Sequence, residues 1–240
     1  MSIIFKLKSA LLDLIYPRQC VGCKRADTWL CETCFSLIKK SDQQCCYVCR
    51  NVQGEAKSCP DHFEKNPLRT LDRLLVSAHY SGNPLLKKVI HALKYERHPE
   101  DTADKLGLLL QQSFERWLRV SVRDQMVILP VPLHEQRLKE RGFNQAELIS
   151  RALEVQGEQR VQRSLIQRTR YTSTQVCNKT RQKRLENLRG AFEVIGVLDP
   201  TLIYLLVDDV TTTGSTLEEC CEVLRKAGAR QVWGLVLARN

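Results

Sequence analysis

The run Leu205-Leu206-Val207-Asp208-Asp209-Val210-Thr211-Thr212-Thr213-Gly214-Ser215-Thr216 restricts the fold more than any other part of the chain. An apolar stretch with strand character, read over Leu202–Val207, ends in two carboxylates and passes into a hydroxyl-rich turn. An amphipathic helix follows over Leu217–Ala227. In it Leu217, Cys220, Cys221 and Leu224 recur at i, i+3, i+4 and i+7, and Gly228 stands where a C-cap is expected. Strand, turn and helix in this order bring backbone N–H groups and a positive helix N-terminus to the carboxyl end of a strand, an anion site and most simply a phosphate site. Two carboxylates beside a phosphate would repel it unless they hold something attached to it. Sugar hydroxyls or a divalent metal would satisfy them, so the ligand suggested is a phosphorylated ribose. The chain contains neither G-x-x-x-x-G-K-[ST] nor G-x-G-x-x-G, which disfavours a nucleoside triphosphatase or a dinucleotide reader.

The rest of the pattern predicts an α/β fold with a mainly parallel sheet. Strands are expected at Leu74–Tyr80, Met126–Val131, Ala191–Val194, Leu202–Val207 and Val232–Ala238, and helices at Leu85–Lys94, Ala103–Leu118, Asn144–Leu153 and Leu217–Ala227. Ligands of such sheets collect beyond the carboxyl ends of the strands, where the Asp208-Asp209 run lies. With 240 residues the chain has room for one ordinary domain and a small appendage.

That appendage is marked by cysteine. Eight of the eleven cysteines precede residue 60, in the pairs Cys20-x2-Cys23, Cys31-x2-Cys34 and Cys46-x2-Cys49, and Cys59-x2-His62 makes a fourth. Each such turn lets two ligands converge on one ion, and tetrahedral zinc needs two turns. Sequential pairing gives two structural zinc sites in a compact double zinc ribbon, with Cys45 left over. The composition becomes ordinary around Pro60–Leu68, so the expected units are residues 1–65 and 66–240. Met1–Tyr16 carries Lys6, Lys8 and Asp13, which breaks any long apolar run; it is read as a short amphipathic helix rather than a signal peptide. Without export the thiols stay reduced, which favours metal over disulfides.

A second constellation follows a strand at Leu129-Pro130-Val131-Pro132-Leu133-His134. Arg137, Lys139 and Arg141 come next, then Gly142-Phe143-Asn144-Gln145. Its loop is expected beside the first, with three cations available to a second phosphate group. Lys94, near the end of its helix, is open between reaching a pyrophosphate and standing as a solvated lysine. Residues 151–190 hold ten Arg or Lys against Glu154, Glu158 and Glu186, and the whole chain carries a formal charge of +10. Such a stretch suits an anionic partner, and Tyr171 within it is available to stack on a base of a single strand.

The Asp208–Thr216 segment resembles the phosphoribosyl-pyrophosphate (PRPP) loop of the type I phosphoribosyltransferases. Together with the cysteine pairs, Pro130…His134…Arg141-Gly142-Phe143-Asn144-Gln145, Thr172…Gln175 and Arg184…Asn187…Gly190-Ala191-Phe192, it resembles the ComF/GntX family of bacterial competence proteins over almost the whole chain. The resemblance implies a type I phosphoribosyltransferase-like sheet flanked by helices, behind the zinc ribbon. It implies that Asp208 and Asp209 hold the ribose hydroxyls, as the catalytic pair if turnover occurs. Thr211, Thr212, Thr213, Gly214, Ser215 and Thr216 would cradle the 5′-phosphate, with Arg137 or Arg141 on the leaving group, Mg²⁺ accompanying PRPP, and Thr172–Lys183 as a mobile active-site loop. The role implied is cytoplasmic, in natural transformation or DNA use, on incoming single-stranded DNA with proteins of the uptake machinery. A true transferase passing ribose 5-phosphate to an acceptor is the alternative.

Overall fold

The computed structural model describes residues 18–52, 56–95, 99–118, 120–123, 125–154, 160–171 and 188–240. The expected N-terminal helix, the expected loop 172–183, Cys177, and the family-like Thr172, Gln175, Arg184 and Asn187 lie outside the described residues.

In chain order the elements are α1 (Glu32–Ser36), α2 (Pro60–Lys65), β1 (Arg73–His79), α3 (Pro84–Tyr95), α4 (Pro99–Trp117), α5 (Val120–Arg123), β2 (Met126–Pro130), α6 (Glu135–Arg141), α7 (Gln145–Glu154), β3 (Arg160–Val161), β4 (Ile166–Arg168), β5 (Phe192–Val194), β6 (Ile203–Thr211), α8 (Ser215–Lys226) and β7 (Gln231–Arg239). Five strands form one parallel sheet in the order β1-β7-β6-β2-β3, and β4 and β5 form a separate antiparallel pair. The central strands read as unbroken apolar runs because both faces of the sheet are covered.

Alternation along β6 sorts those faces. Ile203, Leu205 and Val207 enter one core with α3, α4 and α7; Tyr204 and Leu206 enter another with Leu217, Cys220, Cys221 and Leu224 of α8. The helix faces expected from spacing, including Leu86, Val89, Ile90 and Leu93 of α3, are buried.

The cysteine-bearing segment closes the β1 edge. Lys40 and Lys57 make antiparallel bridges to Ala78 and Arg73. The Gln44 amide accepts from Val76 N–H at 2.9 Å and donates to Val76 C=O at 3.1 Å, a side chain standing in for a neighbouring strand.

Three local readings change. The basic stretch after β2 is a helix, α6, capped at its start by the His134 imidazole accepting from Gln136 N–H at 3.2 Å and stopped by Gly142 at φ +80°. The strand expected near 191–194 pairs with β4 outside the parallel sheet. And β6 does not stop at Val207: it pairs with β7 through Asp208, Val210 and Thr211.

Candidate ligand crevice and metal centres

β2 and β6 are neighbours, but the chain leaves β2 towards the β3 edge and leaves β6 towards β7. The connections that leave them therefore diverge, which places a crevice beyond their carboxyl ends at the point where the strand order reverses. The loop to α6 lies on one side of it and the turn to α8 on the other.

The strand continues through Asp208 and Asp209, which alternate along it, and their carboxyl groups still meet closely enough to interact with one another. Asp209 lies on the α3 side, where Lys94 Nζ is 2.5 Å from its Oδ2. Asp208 lies on the α8 side, in the electrostatic neighbourhood of Cys220 and Arg168. Each carboxylate also accepts a main-chain N–H at 2.8 Å, Asp208 from Asp209 and Asp209 from Val210. Burial, reinforced by the charge of Asp209, pushes the Asp208 carboxyl up to about 8, with the Asp209 N–H and Lys94 pulling the other way. On the same face burial lowers the Arg168 guanidinium below its usual range, and the neighbouring Arg137 adds to that shift.

The turn after β6 is Thr212–Gly214, shorter than the expected Thr211–Thr216 cradle: Thr211 closes the strand and Ser215 opens α8. Gly214 takes φ +81°, a left-handed conformation that glycine adopts without a Cβ penalty. The Thr213 and Ser215 hydroxyls are 2.7 Å apart, and Glu218 N–H reaches back to Gly214 C=O at 2.8 Å. Beside the crevice a cavity of about 410 Å³ is lined by Lys94, Tyr95, Arg137, Glu140, Arg141, Phe143 and Tyr171. Arg141 lies over the Tyr95 ring, Arg137 over the Tyr171 ring, and His134 meets Tyr171 edge-on.

The cysteines gather as sequential pairing requires. The ligand atoms of Cys20, Cys23, Cys31 and Cys34 lie within 4.8 Å of one another, as do those of Cys46, Cys49, Cys59 and His62. Individual separations are 3.6 Å for Cys23–Cys31, 3.4 Å for Cys49–Cys59 and 3.6 Å for Cys46–His62. A zinc–sulfur bond of about 2.3 Å implies an S–S edge of about 3.8 Å in a tetrahedron, so both sets fit zinc without rearrangement and not a disulfide.

The two leading pairs share one backbone device. Lys24 and Arg50, the residues after Cys23 and Cys49, sit at φ +64° and +66°, and each donates its N–H back to Cys20 or Cys46 C=O at 2.9 Å. Burial opposes the thiolates of Cys20 and Cys46. Main-chain N–H donors outweigh it, from Cys23, Cys31 and Gly22 in one case and from Cys49, Cys59 and Val48 in the other, and bring each thiol down to about 6. Cys34 is pushed to about 12 by burial and by its thiol neighbours, and Cys59 to about 12 chiefly by its bond to Cys49. Cys31 is lowered too, chiefly by the Cys34 N–H, so each set holds at least one sulfur readied as a thiolate and one raised sulfur that a cation's charge would favour as thiolate.

The chain is 30% identical to competence protein F of Haemophilus influenzae over 237 residues, spanning 92% of this chain and 97% of that protein. The chain belongs to the competence protein F family. Within the family it is also 31% identical to the DNA utilization protein YhgH of Escherichia coli strain K12, over 86% of this chain and 89% of the relative. To competence protein ComFC of Bacillus subtilis it is 25% identical, over 90% and 86%. No protein-family model matches the chain. Among the described residues no helix is long and apolar enough to cross a membrane.

In this competence protein F family member the structure brings Asp208, Asp209, the Thr212–Gly214 turn and Lys94 together, with Arg137 and Arg141 on the adjoining cavity. Lys94, open in the sequence between a pyrophosphate ligand and a solvated lysine, is the ion-pair partner of Asp209. Arg168 was legible only as one of many cations, and Tyr95 not at all. Within the described part of the basic stretch, Arg163 is held by Glu147 and Glu154, and Arg170 donates to Arg189 C=O at 2.7 Å. Lys179, Arg181, Lys183 and Arg184 lie outside the described residues.

Proposed function

We propose that this competence protein F family member binds PRPP, or a related phosphorylated ribose, in the crevice between β2 and β6. In this reading it handles incoming single-stranded DNA in the cytoplasm together with proteins of the uptake machinery. The observation that carries the ligand is the meeting, at one strand end, of two carboxylates, a glycine-hinged turn and a helix N-terminus, beside a wall of Lys94, Arg137 and Arg141. Asp208 and Asp209 hold the ribose hydroxyls. The Thr212–Gly214 turn, with Thr211, Ser215 and Thr216 at its ends, takes the 5′-phosphate, and Arg137 or Arg141 the pyrophosphate. The two carboxylates offer the hard oxygen donors that suit Mg²⁺ arriving with PRPP. The DNA role draws on the relatives' names, which speak of competence and DNA utilization. The chain is read as a type I phosphoribosyltransferase-like unit, residues 66–240, behind a zinc-binding unit, residues 1–65, whose two ions are structural.

Titration with PRPP and Mg²⁺, with and without single-stranded DNA, tests this while pyrophosphate is monitored. Saturable PRPP binding without pyrophosphate release is expected, and it is abolished in Asp208→Ala Asp209→Ala. Undiminished PRPP affinity in the double variant contradicts the site.

A second reading, transfer of ribose 5-phosphate to an acceptor, is favoured by the cavity beside the crevice. Tyr95 is 65% and Tyr171 41% exposed, so two aromatic faces could flank a planar acceptor. Stoichiometric pyrophosphate release on adding an acceptor would select it.

A further inference from the structure

We infer that the second metal cluster sets the geometry of the phosphate-binding turn through Tyr47, a positioning residue for the ribose-phosphate site. The inference rests on the ribose-phosphate reading of the crevice. Tyr47 is the residue between Cys46 and Val48 in the Cys46-x2-Cys49 turn, and it is buried among the side chains of α8. A Cβ added at Gly214 would lie 3.2 and 3.3 Å from Tyr47 Cδ2 and Cε2, so the ring edge closes over the left-handed residue that makes the turn. The Tyr47 hydroxyl accepts from Leu71 N–H at 3.2 Å. It can give its one proton to Arg69 C=O or to Glu218 Oε1, each at 3.2 Å. Glu218 stands in the first turn of α8 and donates its N–H to Gly214. One side chain therefore touches both the turn and the helix start that receives the anion.

The backbone repeats the connection. Arg239, paired across the sheet with Thr211, donates from Nη1 to Cys46 C=O at 3.4 Å and from Nη2 to Tyr47 C=O. Arg50, which follows Cys49, donates to Asn240 C=O at 3.2 Å, and Asn240 N–H reaches Thr211 C=O at 3.1 Å. Metal ligands, Tyr47, the end of β6 and Gly214 form one continuous set of contacts. An ion that holds Cys46 and Cys49 in place holds Tyr47 over the turn; without it the knuckle loses the tie that fixes the ring. Linkage makes the effect mutual, because a ligand that needs the turn in this conformation must strengthen metal binding by the factor that the metal strengthens ligand binding.

The test uses the zinc-loaded full chain and ribose 5-phosphate as probe. Calorimetric affinity is compared for the wild type, Tyr47→Phe and Tyr47→Leu, and zinc affinity is measured by chelator competition with and without ribose 5-phosphate. Tyr47→Leu is expected to weaken ribose 5-phosphate about fivefold or more, with Tyr47→Phe between it and the wild type. Ribose 5-phosphate is expected to raise the affinity for one of two zinc ions by a comparable factor in the wild type and not in Tyr47→Leu. If Tyr47→Leu does not fold, the wild-type zinc titration decides alone. Zinc affinity indifferent to ribose 5-phosphate, in a chain that binds the sugar phosphate and loses it on Asp208→Ala Asp209→Ala, overturns the coupling and leaves the crevice reading intact. A wild-type chain that fails to bind ribose 5-phosphate at millimolar concentration overturns both.

Discussion

The two cysteine clusters share a backbone turn and differ in what they are packed against. Cys20, Cys31 and Cys34 are buried in the core that holds α3, α4 and α7, with Leu30, Phe35 and Ile38 around them. Gly22 of that knuckle has no room for a side chain: a Cβ there would fall 2.6 Å from Cys34 Sγ and 3.0 Å from Leu85 Cδ1. The second cluster meets the other face of the sheet through Tyr47. The corresponding position of the first knuckle is Val21, packed against the core with Leu85, where the second knuckle has an aromatic ring over Gly214. Repetition of a motif thus tells how the backbone turns and what the thiols can bind. The residue after the first cysteine of each pair, Val21 or Tyr47, decides whether the knuckle packs on the core or on the turn that opens α8.

The largest effect expected comes from breaking the first cluster. Cys20→Ser Cys31→Ser removes ligands from the interior of the main core and should cost roughly 4 kcal/mol or more in denaturant unfolding, in the range that loss of a structural metal reaches. Cys49→Ser Cys59→Ser should cost visibly less stability and more ribose 5-phosphate affinity. Equal unfolding losses from the two pairs would erase the distinction.

A smaller effect is expected at Gly214→Ala, where φ is +81° and the Tyr47 ring stands in the way. The strain should amount to about 2 kcal/mol, read as a lower Tm together with weakened ribose 5-phosphate binding. Gly228→Ala, also at positive φ but with open space around it, serves as the control and should lower Tm without touching affinity.

The smallest effect on ligand affinity is a pH dependence carried by Asp208. Its folded pKa, about 8, lies above the ordinary carboxyl value, so ionising it opposes folding. The contribution of this carboxyl is most favourable to the fold below the ordinary carboxyl range. It declines as pH rises and reaches its floor beyond about 8. Ligand binding should run the other way, because hydroxyl donors favour the carboxylate: affinity for ribose 5-phosphate should rise about tenfold from pH 7 to 9 and then level off. Asp208→Asn should flatten both curves; a profile unchanged by that substitution would place the titrating group elsewhere.

The same comparison explains how far the sequence could be read. The spacing of Cys-x2-Cys and Cys-x2-His is a local geometric fact, so the gathering of these eight residues into two sets of four was legible. The Asp208–Thr216 segment was legible as strand, turn and helix because apolar runs, carboxylates and glycine each carry a local meaning. The extension of β6 through the aspartates was hidden, since it depends on β7 supplying partners at Val236 and Ala238. So was its consequence, that Asp209 meets Lys94 while Asp208 is buried near Cys220 and Arg168. Helix α6 leaves no mark in the sequence, because its seven residues bury no side chain and so carry no apolar periodicity. Tyr47, some 170 positions before Gly214 in the chain, meets it only through the fold.

A structure of the chain with ribose 5-phosphate tests the central claim most directly. The account expects the phosphate at the N–H groups of the Thr212–Gly214 turn and the start of α8, with sugar hydroxyls on Asp208 and Asp209 and the Tyr47 ring still over Gly214. A phosphate bound away from that turn, or carboxylates still tied to Lys94 and main-chain N–H groups with no sugar oxygen in reach, would contradict it.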